Sequence, residues 1–149
     1  MAKTPHIDSD ARGHRLIEAG VLLFLIGLII GLAVPAFANP RMGLSSHLES
    51  LFNGVFLMLA GLIWGRIVLS ARLKAVLYWA LLYGTFANMM ATLLAAIWGA
   101  GRMMPIAGQG MEGTSLQEGV VAFLLVSLAL TMIASTIIIL TGLRRGKAQ

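Results

Sequence analysis

Cysteine is absent from this sequence, which excludes disulfides, thiolate metal sites and cysteine nucleophiles. Charge is scarce: Asp, Glu, Lys and Arg make up 11% of the chain, against roughly 25% in a soluble domain. No heptad repeat, low-complexity tract, phosphate-binding glycine loop or convincing internal duplication is present. What fills the chain is apolar residue, 58% of the total, with a mean hydropathy of +0.88. The sequence is that of an integral membrane protein. Its 149 residues allow one domain and leave no room for a soluble module beside the membrane part.

Four apolar stretches predict an all-α fold, a four-transmembrane-helix bundle forming a single domain over residues 1–149, with helices at about 14–38, 46–67, 74–100 and 116–143. Nine of the eleven basic residues fall on one side of that topology: Lys3, Arg12, Arg15, Arg66, Arg72, Lys74, Arg144, Arg145 and Lys147. Only Arg41 and Arg102 fall on the other. The positive-inside rule then places both termini in the cytoplasm, as in a multi-pass protein of the bacterial inner membrane. The net charge of +5 reads as an orientation signal, not as a nucleic-acid-binding surface.

Residues 1–13 read as a short mobile tail. The first run has a rival reading as a signal peptide, since Ala36-Phe37-Ala38 resembles a cleavage site. Its apolar core is longer than a secretory h-region of 7–15 residues, which favours a retained helix. Gly27 and Gly31 give it a GxxxG face, and Gly61 and Gly65 give the second helix another. The second span is short, because few uncharged residues separate Glu49 from Arg66. Its helix is expected to begin near Ser46, drawing His47 and Glu49 into the outer membrane boundary. The third run carries a polar stripe of Tyr78, Thr85, Asn88 and Thr92 beside a smooth one of Ala87, Ala91, Ala95 and Gly99. The loop 101–117 can be a lid over the site or a linker. Ser127, Thr131 and Ser135 on the fourth run form a hydroxyl row that reads as packing.

The stretch from Asn39 to Gly54 gathers the residues with chemical potential. His47, placed in a first helical turn, would face the positive end of the helix dipole, which opposes a further positive charge and leaves the imidazole ready to bind a metal. The alternative is an interfacial histidine bonded to a loop carbonyl. Ser46-His47-Leu48-Glu49 fits a capping box, in which Glu49 returns a hydrogen bond to the cap; proton relay is the other use of that carboxylate. Asn53 shares a helix face with Glu49. Asn88, at a similar depth on the third helix, is its expected neighbour, either in packing or in a substrate pocket. His14 and Glu18 lie one turn apart at the opposite end of the first helix. His14 and His47 are therefore near opposite faces of a core about 30 Å thick and cannot both ligate one haem within a subunit.

The run Asn39-Pro40-Arg41-Met42-Gly43-Leu44-Ser45-Ser46-His47-Leu48-Glu49 followed by Asn53-Gly54 resembles the hydroxylaminobenzene mutase family of small bacterial membrane enzymes. Tyr83-Gly84-Thr85-Phe86-Ala87-Asn88 and Pro105-Ile106-Ala107-Gly108 are similar to that family too. The resemblance implies an isomerase that rearranges hydroxylaminoarenes to 2-aminophenols in nitroarene breakdown. A more distant similarity is to styrene oxide isomerase, which shares the histidine, five residues, asparagine, glycine pattern of His47 to Gly54. That likeness implies a trimer with haem b between subunits, His47 as axial ligand to the iron and Asn53 as a substrate-orienting group. The third helix departs from it, with Tyr83-Gly84 and Met90-Ala91 where the isomerase has an Asp-Gly pair and a later Tyr. For the mutase chemistry, Asn53, Asn88 or Tyr83 would orient the substrate NH group and Glu49 would shuttle the ring proton.

Two other classes compete with this reading. One is a small four-helix multidrug exporter with Glu18 as its cation-binding carboxylate, although that acid follows Arg15 at the membrane edge and not at the midplane. The other is a non-catalytic membrane subunit docking through its small-residue faces. A Soret band in the purified protein separates the haem isomerase from both.

Overall fold

The computed structural model describes residues 5–146, with side chains from residue 11 onward. Lys3 and Lys147, counted in the charge asymmetry, lie outside the described residues. Among these there is no strand. The elements are α1 (Pro5–Ala33), a 3-10 turn (Val34–Ala36), α2 (Pro40–Leu62), a second 3-10 turn (Trp64–Arg66), α3 (Ala71–Trp98), the single-turn α4 (Pro105–Gly108) and α5 (Ser115–Gly146). The helix already begins at Pro5, so the segment expected as a tail is largely the first turns of α1.

Local chemistry sets the helix ends. Asn39 is extended (φ −120°, ψ 96°) and its side chain accepts the Met42 N–H at 3.0 Å, with Pro40 supplying a preset first helical residue. α2 therefore starts at Pro40, upstream of the expected Ser46. Ser70 caps α3 by accepting from the Leu73 N–H. That helix stops where Gly99 enters the left-handed region (φ 67°) and returns its N–H to Ala95 O, a conformation that costs a residue with a Cβ more than it costs glycine.

The four long helices pack antiparallel in sequence order. Gly20 and Gly54 approach so closely that a Cβ on Gly20 would lie 2.6 Å from Gly54 O, and one on Gly54 would lie 2.7 Å from Gly20 O. Gly13 meets Gly61, and Gly27 meets Ser50 and Leu51, so the glycines of α1 run along α2 for its length. Lipid gives apolar helices no hydrophobic reason to associate, so this contact rests on dispersion between closely approaching backbones. Leu16, Leu23, Leu57, Leu77, Leu81 and Trp64 fill the core between α1, α2 and α3. α5 packs on α3 and on the turn after α2, and among the described residues it does not touch α1. The helices thus form an open row and not a closed four-helix ring.

Two expectations about small residues change. The Gly27 and Gly61 faces are consumed inside the chain, and Ala87, Ala91 and Ala95 are buried as well, so these stripes are not surfaces for another copy. Gly65 sits on the 3-10 turn with nothing within 4 Å of where its Cβ would be, and it takes no part in the Gly61 face.

Three segments are long and apolar enough to cross a membrane: Ala11–Ala36, Ala71–Trp98 and Ser115–Gly146. α2 is not among them, because Arg41, Ser45, Ser46, His47, Glu49, Ser50 and Asn53 interrupt its apolar run. Its position between α1 and α3 shelters much of that polarity.

Candidate active site

α2 presents its polar residues in two directions. The Ser46 hydroxyl donates to Met89 O on α3 at 3.4 Å, and the Ser50 hydroxyl donates to Ser46 O at 2.7 Å. Neither is the expected cap. The Ser46/Glu49 capping box is not formed: with the helix starting at Pro40, both residues are interior, and Asn39 does the capping.

His47 points toward α1. Its Nδ1 lies 2.7 Å from Gly27 O. A carbonyl can only accept, so Nδ1 donates in this contact, and in the neutral ring Nε2 is the nitrogen with the free lone pair. The contact exists because α1 has no side chain there: a Cβ on Gly31 would stand 2.7 Å from the same Nδ1. The histidine is more than a turn into its helix, beyond the reach of the terminal dipole, so its tautomer is set by Gly27 and not by the helix start. The ring lines a pocket of about 460 Å³ with Leu28, Leu32, Val34, Pro35 and Leu44. The half-exposed Leu28 and Leu44 and the 87% exposed Leu32 make this an outward-facing apolar groove.

Glu49 and Asn88 form the second group. Asn88 donates through Nδ2 to Glu49 Oε2 at 2.8 Å, joining α2 to α3 in a part-buried position. One turn along α2, the Asn53 amide nitrogen is buried without a hydrogen-bond partner. An unmet buried donor is costly and in native proteins usually marks an absent partner. With 3.6 residues per turn, Glu49 lies about 200° and Asn53 about 240° around α2 from His47. One chain therefore brings Glu49 and Asn88 together, with Asn53 a turn away, and holds His47 apart from them.

Tyr83 is on a third sector. Its hydroxyl shares a 2.6 Å hydrogen bond with the Ser127 hydroxyl of α5, about 140° around α3 from Asn88. The rest of the expected polar stripe is internal: the Thr85 and Thr92 hydroxyls donate to Leu81 O and Asn88 O of their own helix, and Tyr78 stacks edge-on against Trp64. In the α5 row, Ser127, Thr131 and Ser135 each donate to their own helix backbone, as packing hydroxyls do.

The loop after α3 is pinned. Asn39 donates to Gly108 O at 3.1 Å, and its own N–H donates to Ala96 O at 3.0 Å. Glu118 is 4% exposed and accepts from the N–H groups of Gly113 (2.9 Å) and Arg102 (3.2 Å). Glu112 accepts from the Arg102 guanidinium at 3.0 Å, which raises the Arg102 pKa further above its usual value. These contacts tie the loop to the start of α2 and to α5. Asn39 and Glu118 were the structural residues that sequence reasoning missed. The Asn-Pro step before a helix was the available signal for the first.

Glu18, the carboxylate an exporter would need inside the membrane, is mostly exposed and lies 3.3 Å from His14 on its own helix. Among the described residues no three His, Asp or Glu side chains converge on a common point. Among the described residues, then, His47 would hold a metal alone, as it would an iron whose remaining ligands come from a cofactor. The apolar groove that His47 lines suits such a group, so the residues present fit it.

Histidine, carboxylate and amide side chains carried on membrane-type helices point to a small membrane enzyme. Residues 12–144 match the styrene oxide isomerase family, and the chain belongs to that family. Among its relatives is hydroxylaminobenzene mutase HabB of Ectopseudomonas oleovorans, 48% identical over 147 residues, covering 98% of this chain and 89% of that protein. Hydroxylaminobenzene mutase HabA of the same organism is 46% identical over 131 residues, covering 87% of this chain and 97% of the other. No solved structure matches the chain. The chain is an isomerase of the mutase type.

Proposed function

We propose that this protein rearranges hydroxylaminobenzene-type arenes to 2-aminophenols within the bacterial inner membrane. The reading rests on the likeness to the two mutases across nearly the whole chain. In the reaction the N–O bond breaks, an ortho C–O bond forms, the ring carbon loses its proton and nitrogen gains one. Atoms and electrons balance with no second substrate and no net redox change.

His47 is the residue that would hold a haem b, through Nε2. The observation supporting this is the Gly27 carbonyl fixing the proton on Nδ1. A ferric haem bound there would supply Lewis-acid polarisation of the substrate oxygen. The protein's own groups do the rest. The apolar groove excludes water, so a liberated hydroxyl returns to the arene. Asn53 offers its unpartnered N–H to the substrate. Glu49 accepts the ring proton as aromaticity is restored, and Asn88 is the positioning residue that holds its carboxylate.

The assembly is a homo-oligomer, a trimer in this proposal. It brings the His47 groove of one copy to the Glu49 and Asn53 sector of another, which a single chain holds apart from His47. α2 counts as the fourth span, sheltered by its neighbours, and both termini lie in the cytoplasm. Membranes containing the protein should convert hydroxylaminobenzene to 2-aminophenol with no nucleotide or reductant. No product, or a strict requirement for a reduced nicotinamide, overturns the reading.

A further inference from the structure

A second site lies at the opposite end of the molecule from His47. The segment between α2 and α3 folds over the C-terminal end of α5, with the Val68 N–H donating to Gly142 O at 3.1 Å. A Cβ on Gly146 would stand 2.9 Å from Arg66 O, so the backbones nearly touch. This approach places Arg66, from the turn after α2, and Arg144, from the last turn of α5, on one pocket of about 670 Å³. Its walls are aliphatic, formed by Val68, Leu140 and Leu143. Both arginines are exposed, and among the described residues neither pairs with a carboxylate; the two ion pairs found there are His14–Glu18 and Arg102–Glu112.

Two guanidinium groups at one apolar mouth repel each other unless an anion joins them. The guanidinium fork matches phosphate oxygens in a bidentate manner. The aliphatic wall continues along α5, where Leu140 is half exposed toward the membrane. We propose that this pocket binds one anionic phospholipid, its phosphodiester between Arg66 and Arg144 and an acyl chain against Leu140 and Leu143. Among the described residues no carboxylate lines the pocket to receive an ammonium group, so a zwitterionic choline lipid is disfavoured. The site belongs to the end of the chain where basic residues gather, the face expected to meet anionic lipid.

The test uses the full-length protein in nanodiscs of phosphatidylcholine with a minor fraction of phosphatidylglycerol, followed by quantification of the lipid retained on extraction into detergent. The wild type should retain phosphatidylglycerol over phosphatidylcholine about tenfold more strongly than the Arg66→Gln/Arg144→Gln protein. Arg72→Gln, at the same end but outside the pocket, should behave as wild type. Gly65→Leu keeps both charges and projects into the open space beside Arg66, and it should lose the preference as well. Equal retention by wild type and the double variant overturns the proposal, as does an undiminished preference in Gly65→Leu. Complete displacement of the lipid by inorganic phosphate would identify a free-anion site and overturn the lipid assignment.

Discussion

The imidazole of His47 and the carbonyl of Gly27 are joined across the α1–α2 contact by a 2.7 Å hydrogen bond. That bond decides which ring nitrogen is available, and it requires the backbone of α1 to lie against the ring. Gly31 enforces the fit one turn along. Gly31→Ala would bring a methyl group within 2.7 Å of Nδ1 and turn the ring. We expect Gly31→Ala to lower turnover about 100-fold, the order associated with a displacement of about 1 Å in a site. The check is the specific rate of hydroxylaminobenzene conversion at matched protein amount, with Gly119→Ala, where the Cβ meets nothing, as the unaffected comparison.

Asn88 and Glu49 should act as a unit. The hydrogen bond between them involves a carboxylate, for which coupling of roughly 1.5–3 kcal/mol is usual. Glu49→Gln and Asn88→Ala are each expected to slow turnover, and the double variant should be little worse than Glu49→Gln alone. Additive losses in that cycle would show that the two side chains serve separate ends. Substrate deuterated at both ortho positions should react more slowly in Glu49→Gln than unlabelled substrate does, since ring-proton removal then limits the rate.

Asn39 holds three pieces of chain: the start of α2, the end of α3 and the α4 turn. Loss of a helix cap costs about 1 kcal/mol, and the orphaned carbonyl and amide groups add to it. Asn39→Ala should therefore reduce stability by about 2 kcal/mol, read from unfolding in mixed micelles. Asn39→Asp keeps the cap acceptor and should recover part of that loss. Activity per folded molecule should fall less than stability does.

Much of the fold was legible in the sequence because membrane helices announce themselves by long apolar runs. The boundaries were less so. α2 was expected to begin at Ser46 because a capping-box pattern lies there, but Asn39-Pro40 satisfies the same orphan N–H groups earlier, and only the structure decides between two competent caps. The chemistry-bearing stretch was visible as polar residues with no place in lipid. What remained hidden was direction. Residues 47, 49 and 53 are close in sequence yet turn toward α1 and α3 on opposite sides of α2, so no single chain assembles them. Gly27, Gly31 and Gly61 were correctly seen as contact positions and Gly65 was not, and the partner proved to be the neighbouring helix of the same chain.

Topology has its own check, motivated by the nine-to-two division of basic residues. A reporter fused after Gln149 should behave as cytoplasmic, and one inserted near Gly110 as periplasmic. The reverse pattern would place the His47 groove at the inner face and remove the basis for four spans with both termini inside.

The most direct measurement is the visible absorption spectrum of the purified protein, taken beside its mutase rate, for wild type and His47→Ala. The wild type should show a Soret band and convert hydroxylaminobenzene to 2-aminophenol. His47→Ala should lose both while eluting as the same oligomer. Asn53→Ala should keep the band and lose turnover, and His14→Ala should keep both. A His47→Ala protein with a normally ligated haem and full rate would contradict the assignment of His47 as the iron ligand.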